Sequence, residues 1–337
     1  MQYSTFAAID IGSYDVILEI FEISKKQGIR SVDKICHRME LGKDTYTLGK
    51  IRPEMEEELC RVLADFVRIM EGYRVDAYRA MASSAISEAA NSLYVLGKIR
   101  QLTGLSVTVL SNSEQRFLGY KALAAMEDNF NKVIEKGTAI LDLDGGSFQI
   151  SLFDKDALVT TQNIRMGSLR VRERLAGIQS ETEHYEEMVE ELIWNEVSSF
   201  KKMYLKDRKI ENIMLIGDVF TDSVYQNIEE KTTKIISREN FNTWYEKIIR
   251  QSPMELAVKL GIPLENASLM YPSAVIYKCL IDMMEAEHVW IPGVHMTRGI
   301  AYEYAEQMKL QKGSHNFEND ILMAAKNIGK RYAVNRP

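Results

Sequence analysis

A glycine-rich turn between two apolar segments is the stretch of this sequence best suited to chemistry. Residues 138–154 read TAILDLDGGSFQISLFD, which predicts a strand, a tight turn at Asp144-Gly145-Gly146 and a second strand. Glycine lets the backbone approach a ligand closely, and successive N–H groups in such a turn can bind an anion. Asp142 stands at the mouth of the turn, where a metal bound to phosphate would need an oxygen ligand. Taken alone, the stretch is more simply explained as a plain β-hairpin with an acidic turn.

The same pattern occurs a second time, near the start of the chain. Residues 5–23 read TFAAIDIGSYDVILEIFEI, and Asp142 lies 132 residues after Asp10. At that constant offset Phe153 falls on Phe21, and the apolar positions of the two hairpins coincide. Two amphipathic hairpins share some alternation by chance. An acid, a turn and a phenylalanine in one register favour a duplication, so the sequence predicts two related domains.

Composition limits the class of protein. The chain has 337 residues, 46% of them hydrophobic and 27% charged, which is typical of a globular protein with room for two domains. A net charge of −6 argues against a nucleic-acid-binding protein. The three cysteines show no metal-site or disulfide spacing, and no apolar run is long enough for a membrane span. We therefore expect a cytoplasmic protein with no nucleic-acid or membrane partner.

The elements that would position the two turns alternate between strand and helix patterns. This alternation predicts an α/β fold in two parts. The predicted helices are Pro53–Gly72, Ile86–Arg100, Glu114–Met126, Asp128–Lys136, Leu169–Leu175, Glu181–Tyr204, Arg238–Gln251, Pro253–Leu260, Pro272–Ala286, Gly299–Met308 and Asn319–Ala333. Beyond the two hairpins, the predicted strands are Lys34–Leu41, Ala77–Ala82, Val107–Leu110, Val159–Ile164, Asn212–Ile216 and Val289–Ile291.

Six ordered stretches make the chain resemble the Ppx/GppA family of exopolyphosphatases and guanosine pentaphosphate phosphohydrolases. They are AAIDIGSYDVILEI, YRAMASSAISEAANS, LSNSEQRFLGY, LDLDGGSFQISLF, IRMGSLRVRERL and PSAVIYKCLIDMM, and WIPGVHMTRGIAYEYA follows them. The resemblance implies the fold of the sugar-kinase/Hsp70/actin superfamily: an α/β protein with two duplicated actin-like, ribonuclease H-like domains around a central cleft. It implies boundaries at 1–125 and 126–310, with a helical extension at 311–337. The last helix of the second domain could pack back on the first.

The resemblance also implies a mechanism, cleavage of phosphoanhydride bonds in polyphosphate or pppGpp. Glu114 would orient or deprotonate the attacking water. Asp10 and Asp142, with Asp144 as a further candidate, would hold Mg²⁺ or another divalent cation. The residues expected to bind phosphate lie in three turns and are Gly12, Ser13, Gly145, Gly146, Ser147, Gly167, Ser168 and Arg170. Dimers are common in the family, which suggests a homodimer by analogy.

The chain departs from the family pattern mainly at ligand-facing positions. The altered residues are Tyr14, Asp15, Ser87, Asp144, Phe148, Gln149 and Asp218, together with Asn112 and Gln115-Arg116-Phe117 around Glu114. Ser87 stands where the family has a phosphate-contacting arginine, and a charge-assisted hydrogen bond contributes roughly 1.5–3 kcal/mol. Added carboxylates at Asp15 and Asp144 would repel an anion unless they bind a metal.

Several functions therefore stay open from the sequence. The first is the hydrolase, and the second is a weak or inactive family member that senses (p)ppGpp, another nucleotide or phosphate. A scaffold without a ligand is the third. A sugar kinase or chaperone-like ATPase fits less well, because the motifs follow the Ppx/GppA order. Glu114 could equally be an ordinary first-turn acid of a helix, and Ser13 and Ser147 ordinary turn serines.

Overall fold

The first of two mixed sheets contains both predicted elements of the N-terminal hairpin. The computed structural model describes residues 3–126, 130–155, 157–176, 185–205, 208–227 and 235–311, and residues 315, 317, 319, 322, 325, 326 and 329 singly. The strands of this sheet are β1 Ser4–Ile11, β2 Asp15–Ser24, β3 Gly28–Arg38, β4 Ala77–Ala82 and β5 Val107–Val109, in the order β3-β2-β1-β4-β5. β1 pairs antiparallel with β2 and parallel with β4.

The second sheet repeats this arrangement and adds one strand. Its members are β6 Thr138–Leu143, β7 Phe148–Asp154, β8 Ala157–Ile164, β9 Asn212–Ile216, β10 Ile235–Ser237 and β11 His288–Trp290, in the order β10-β11-β9-β6-β7-β8. β6 pairs antiparallel with β7 and parallel with β9. Strands β1 to β5 thus correspond to β6, β7, β8, β9 and β11, and the predicted duplication is confirmed.

The register of the two hairpins agrees residue by residue. Asp10 pairs with Ile17 in the first, and Asp142 pairs with Gln149 in the second. Both partners differ by the 132 residues seen in the sequence. Because a one-residue slip would move every side chain to the other face, this shared register places the acids at equivalent positions on their strands.

Thirteen helices accompany the sheets in the part of the chain that the structure describes. They are α1 Leu41–Leu48, α2 Pro53–Gly72, α3 Ser84–Ser87, α4 Ser92–Thr103, α5 Asn112–Met126, α6 Phe130–Ile134, α7 Ser168–Leu175, α8 Tyr185–Phe200, α9 Val219–Asn227, α10 Arg238–Ile249, α11 Pro253–Leu260, α12 Leu264–Met284 and α13 Met296–Gln307. A short π-helical turn, Lys201–Leu205, follows α8. None of these helices is both long and apolar enough to cross a bilayer.

Alternation along β1 builds two cores in the first sheet. Ala7, Ile9 and Ile11 pack in a cluster with residues of α2 and α4. Phe6 and Ala8 face the opposite side, where α5 and α13 contribute Leu118 and Ile300 among others. Successive side chains on a strand point to opposite faces, so one strand can supply both cores. The ends of β1, β2 and β4 are thereby held in place.

Some predicted elements were wrong in their bounds. The strand expected at Lys34–Leu41 is β3, Gly28–Arg38, and the single helix expected at Ile86–Arg100 is α3 and α4. α12 begins at Leu264 and not at Pro272, because its burial on most sides outweighs the cost of an internal proline. α1, α9 and β10 were not predicted. Most of the last predicted helix, Asn319–Ala333, lies outside the described residues.

Contacts between residues divide the chain into two compact units. The first comprises Met1–Ala125, Asp144–Gly146 and Val294–Ser314, and the second comprises Met126–Leu143, Ser147–Gly293 and His315–Pro337. The turn between β6 and β7 therefore belongs, by its contacts, to the first unit.

Candidate functional site

A backbone N–H of the β6–β7 turn hydrogen-bonds to a side chain of the same turn. Leu143 and Phe148 form the last pair of the two strands, and the residues between them make the turn. The backbone N–H of Gly145 donates to Oδ1 of Asp144 at 2.6 Å. Ser13 Oγ lies 3.4 Å from Oδ2 of the same carboxylate, and the side chain of Gln115 is near enough to lower its pKa. The Asp144 carboxylate is therefore an internal anion that already accepts hydrogen bonds from donors at this turn.

A cluster of three hydroxyls packs against the same turn. Ser13 Oγ lies 2.7 Å from the Tyr46 hydroxyl and 3.2 Å from Ser84 Oγ, and the Tyr46 and Ser84 oxygens are 2.8 Å apart. A Cβ added at Gly146 would lie 2.1 Å from the Tyr46 oxygen and 2.6 Å from Ser84 Oγ. Glycine is thus required at 146 by close packing as well as by any ligand.

The Asp144 carboxyl is electrostatically unfavourable in this position. Burial raises its pKa to about 6, although the residue as a whole is only half-buried. The Gly145 N–H lowers the pKa, whereas the nearby Asp15 raises it. Asp15 is itself paired with Arg38, whose Nη1 lies 2.6 Å from Oδ2. Asp144, Asp15 and Arg38 thus all contribute charge near these two turns.

The predicted first phosphate turn is closed by its own backbone. The N–H of Gly12 donates to the Asp15 carbonyl at 2.9 Å, and the carbonyl of Ser13 accepts from Gly42 N–H at 2.7 Å. Ser13 is fully buried and Tyr14 nearly so. The structure brings Ser13, Gly145 and Gly146 together, and it places Gly12 in the hydrogen bond that shapes the turn.

The candidate metal ligands stand at the ends of their strands. Asp10 is half-buried in β1, and Asp142 is 9% exposed in β6. No three histidine, cysteine or carboxylate side chains form a possible cation site within the residues that the structure describes. Mg²⁺ commonly uses one or two carboxylates and completes its shell with water and substrate phosphate. Each of these acids could therefore supply one carboxylate to a cation whose other ligands are water and phosphate.

Glu114 forms a capping box at the start of α5. Its Oε2 accepts the Ser111 N–H at 2.8 Å and the Ser111 hydroxyl at 2.7 Å, and its own N–H donates to Ser111 Oγ at 3.3 Å. These bonds lower the pKa of Glu114, and the residue is exposed. Glu114 therefore stays ionised at neutral pH. A carboxylate with a lowered pKa is a weak base, so it is better suited to orienting a water molecule than to deprotonating it.

The third predicted turn leads into α7. Gly167 is the residue before the helix, with extended backbone angles, and Ser168 is 2% exposed in the first turn. A helix N-terminus carries partial positive charge and favours anions. Arg170 is half-buried, and the neighbouring Arg172 bonds Ser268 Oγ at 2.8 Å and Glu173 at 2.7 Å. Ser147, at the start of β7, is 8% exposed.

A half-buried acid after β9, Asp218, has one fully buried carboxylate oxygen, and in the sequence it stood out only as a departure from the family pattern. Burial raises the pKa of Asp218 to about 7, opposed by the Ser273 hydroxyl and the Thr221 N–H. Oδ1 accepts the Thr221 N–H at 3.1 Å and the Tyr277 hydroxyl at 3.3 Å. Ser273 lies near enough to favour the charged form, but its Oγ and Asp218 Oδ2 do not reach hydrogen-bond geometry. Burial, and then the nearby negative charge of Asp218, also raise the pKa of Tyr277.

Sequence reasoning missed several of the residues that build these clusters. Tyr46 and Ser84 contact the first, and Ser273 and Tyr277 contact the second. The alternating strand pattern could not find them, because each comes from a helix far away in sequence. Phe148, expected near a ligand, is 1% exposed and belongs to the hydrophobic core of the second unit.

Comparison with known proteins relates the sequence of this chain to phosphatases. A model of the Ppx/GppA phosphatase family matches residues 19–308. Among curated proteins, the bifunctional 3-dehydroquinate synthase/phosphatase of Fusobacterium nucleatum is 21% identical over 67% of this chain and 34% of its own length. Exopolyphosphatase 1 of Mycobacterium leprae is 25% identical over 42% of this chain and 41% of its own length. The chain thus spans well under two thirds of the length of each relative.

Solved structures share the fold over nearly the whole chain. An exopolyphosphatase from Cytophaga hutchinsonii superimposes with a TM-score of 0.80, at 16% identity, covering 91% of this chain and 99% of that one. The Ppx/GppA family member of Aquifex aeolicus gives 0.74 at 18% identity, covering 92% and 100%. The predicted actin-like α/β fold class is confirmed.

Proposed function

Because the chain belongs to the Ppx/GppA phosphatase family, we propose that it hydrolyses phosphoanhydride bonds in inorganic polyphosphate or in pppGpp. The observation that carries this proposal is the duplicated hairpin, in which Asp10 and Asp142 keep the same register beside a glycine turn. A turn with successive backbone N–H groups suits a phosphate, and phosphoryl transfer needs mainly positioning and charge neutralisation. The family's relatives include exopolyphosphatases.

Glu114 is the residue we propose to orient the attacking water. Both capping bonds end on Oε2, so Oε1 can accept a hydrogen bond from water in this exposed position. Because Ser111 already fixes the orientation of the carboxylate, no conformational entropy is lost in orienting it at each turnover. Ser13, Gly145, Gly146 and the turn at Gly167–Arg170 are the proposed phosphate contacts.

A divalent cation is expected from the family, and Asp10 and Asp142 are the residues that would hold it. When bound, it would neutralise charge on the phosphate chain. The residues of this chain would supply the positions of the phosphate and of the water. Mg²⁺ is the cation we propose, because carboxylates and phosphate oxygens are its usual ligands.

The test compares two glutamates in the same local structure. Glu255 at the start of α11 accepts the Ser252 N–H at 2.7 Å and the Ser252 hydroxyl at 2.8 Å, as Glu114 does with Ser111. Phosphate release from polyphosphate and pppGpp would be measured for Glu114→Gln and Glu255→Gln with several divalent cations. We expect a loss of at least 100-fold in kcat for the first, from the 10²–10⁴-fold typical of positioned acid–base groups, and full activity for the second. Equal activity in both variants would exclude Glu114 as the catalytic residue.

A second candidate is a phosphate or nucleotide sensor with little or no turnover. It is favoured by the donors that are already engaged: Gly12 N–H by Asp15, and Gly145 N–H by Asp144. Such a protein would bind ppGpp, polyphosphate or another nucleotide and change its stability without releasing phosphate. Thermal denaturation with each ligand, run beside the hydrolysis assay on one sample, separates the two functions. A rise in Tm without phosphate release supports the sensor, and no rise with any ligand rejects it.

A further inference from the structure

The donors expected to bind phosphate at the β6–β7 turn already bind a carboxylate. Gly145 N–H reaches Asp144 Oδ1 at 2.6 Å, a short N–H···O distance. Ser13 Oγ also reaches the carboxylate, at 3.4 Å from Oδ2, and the Gln115 side chain is near enough to favour its charged form. Hydrogen-bond donors from two separate turns, β6–β7 and β1–β2, therefore converge on one internal anion.

The space beside the turn is filled as well. Tyr46 places its hydroxyl against the Cα of Gly146, where even an added methyl group would lie 2.1 Å from it. The same hydroxyl bonds Ser13 Oγ at 2.7 Å and Ser84 Oγ at 2.8 Å. A phosphate group is larger than a methyl group, so it could reach Gly145 and Gly146 only if Asp144 and Tyr46 moved.

The other charges around the turn do not favour a second anion. Asp15 contributes negative charge to the environment of Asp144. Arg38 binds Asp15 at 2.6 Å and lies over the Tyr14 ring. The arginine is thus engaged by an acid of the chain.

We propose that Asp144 is a specificity-determining residue that competes with phosphate for the donors of the β6–β7 turn. The inference rests on the proposed function and deepens it. Only a ligand with several points of attachment, such as a polyphosphate chain, would displace the carboxylate. A single orthophosphate offers one group and would compete poorly. Asp144 therefore selects phosphate chains over single phosphates.

The first test removes the competitor. Binding of tripolyphosphate and of orthophosphate, each with Mg²⁺, would be measured by calorimetry for the wild-type chain, Asp144→Ala and Asp144→Asn. We expect Asp144→Ala to bind both at least tenfold more tightly, with the larger gain for orthophosphate. Asp144→Asn keeps an oxygen on Gly145 N–H and should gain less than threefold. Glu57→Gln, which removes an exposed acid of α2, should change neither affinity.

The outcomes separate occupation of the donors from simple repulsion. Equal gains for the alanine and asparagine variants would show that charge alone weakens binding and would overturn the proposal. No gain for Asp144→Ala would overturn it too. Hydrolysis is recorded separately: tighter binding without any hydrolysis keeps this inference and rejects the proposed enzyme. If the wild-type chain hydrolyses its substrate and Asp144→Ala binds both ligands no more tightly than the wild type, the proposed enzyme is supported and this inference is rejected.

A second test needs no substitution, so it stands even if a variant fails to fold. The amide resonance of Gly145 in the ¹⁵N-labelled protein reports the bond to Asp144. Adding tripolyphosphate with Mg²⁺ should shift this resonance and saturate at the concentration at which calorimetry shows binding. A Gly145 resonance that stays in place while tripolyphosphate binds would overturn the proposal, since the donor would then still hold its carboxylate.

Discussion

The two hairpins have the same register and different chemistry in their turns. Residues 12–15 lie between the last residue pair of β1 and β2, Ile11 and Val16, and residues 144–147 lie between the last pair of β6 and β7, Leu143 and Phe148. In the first turn, Gly12 N–H bonds the backbone carbonyl of Asp15. In the second, Asp144 stands at the position of Gly12, and its side chain takes the next N–H. The two hairpins share their backbone register, and differences at single residues decide which backbone N–H groups remain available to a ligand.

The turns that follow the central parallel strands differ in the same way. Ser83 follows β4, and its Oγ bonds the Ile11 carbonyl at 3.5 Å. Asp218 follows β9 at the position that corresponds by strand register, and it is half-buried, with its Oδ2 buried and without a hydrogen-bond partner. Burying an unpaired polar group is unfavourable. The second unit therefore keeps an unfavourable acid where the first has a satisfied serine.

The largest expected effect tests the close packing of the second turn. Gly146→Ala should destabilise the protein by about 1–3 kcal/mol, because overpacking displaces neighbouring side chains, here Tyr46 and Ser84. Gly97→Ala is the matched control, since a Cβ there meets nothing within 4 Å. In the middle of α4 it should stabilise by about 0.5–1 kcal/mol. Urea denaturation measures both. A neutral Gly146→Ala would show that Tyr46 leaves the turn easily.

A pH-dependent effect tests the acid of the second unit. The pKa of Asp218 is about 7 in the folded protein, above its ordinary value of 3.8. The folded state binds the proton more tightly than the unfolded state, so this group lowers stability as pH rises from about 4 to 7. Asp218→Asn should stabilise the protein by about 1–3 kcal/mol at pH 8, where a buried charge is relieved, and little at pH 4.

The free energy of unfolding at several pH values, for the wild-type chain and Asp218→Asn, measures this difference. The two curves should converge on acidification. A variant less stable than the wild type at pH 8 would mean that the charged carboxylate is needed there, as it would be if Asp218 held a cation.

The smallest effect compares two equal capping boxes. Ser111→Ala at α5 and Ser252→Ala at α11 remove the same set of hydrogen bonds. Each should cost about 1 kcal/mol, the usual value for a lost N-cap. Thermal unfolding measures both. A Ser111→Ala variant that is as stable as the wild type would show that the Glu114 cap is strained, which favours a role for Glu114 beyond the helix.

Much of the fold could be predicted because its determinants are local. α2, α11, β4 and β9 have the predicted bounds, and each has clear start and stop signals or a short apolar run. α1 and α9 lacked such signals. The predicted helix began at Pro272, and proline is common at the first position of a helix, but Pro272 lies inside α12. Buried contacts along α12 override that rule.

The site was predictable only in part, because some of its determinants are local in sequence and others are not. The acids, glycines and serines of the turns stand out in the sequence by type and repeat. The Ser111–Glu114 cap is also readable, since its two members are three residues apart. The contacts of Tyr46 and Ser84 could not be predicted, because nothing in their own sequence neighbourhood indicates contact with Gly146.

By itself the sequence determined the duplicated hairpins, their register and the identity of the residues in each turn. Those properties depend on alternation and on turn residues within a few positions. Only the tertiary structure decided what the turn at Asp144–Gly146 does with its donors. Hydrogen bonds and close packing at this turn join segments more than 25 residues apart. The pKa of a carboxyl likewise depends on everything packed around it.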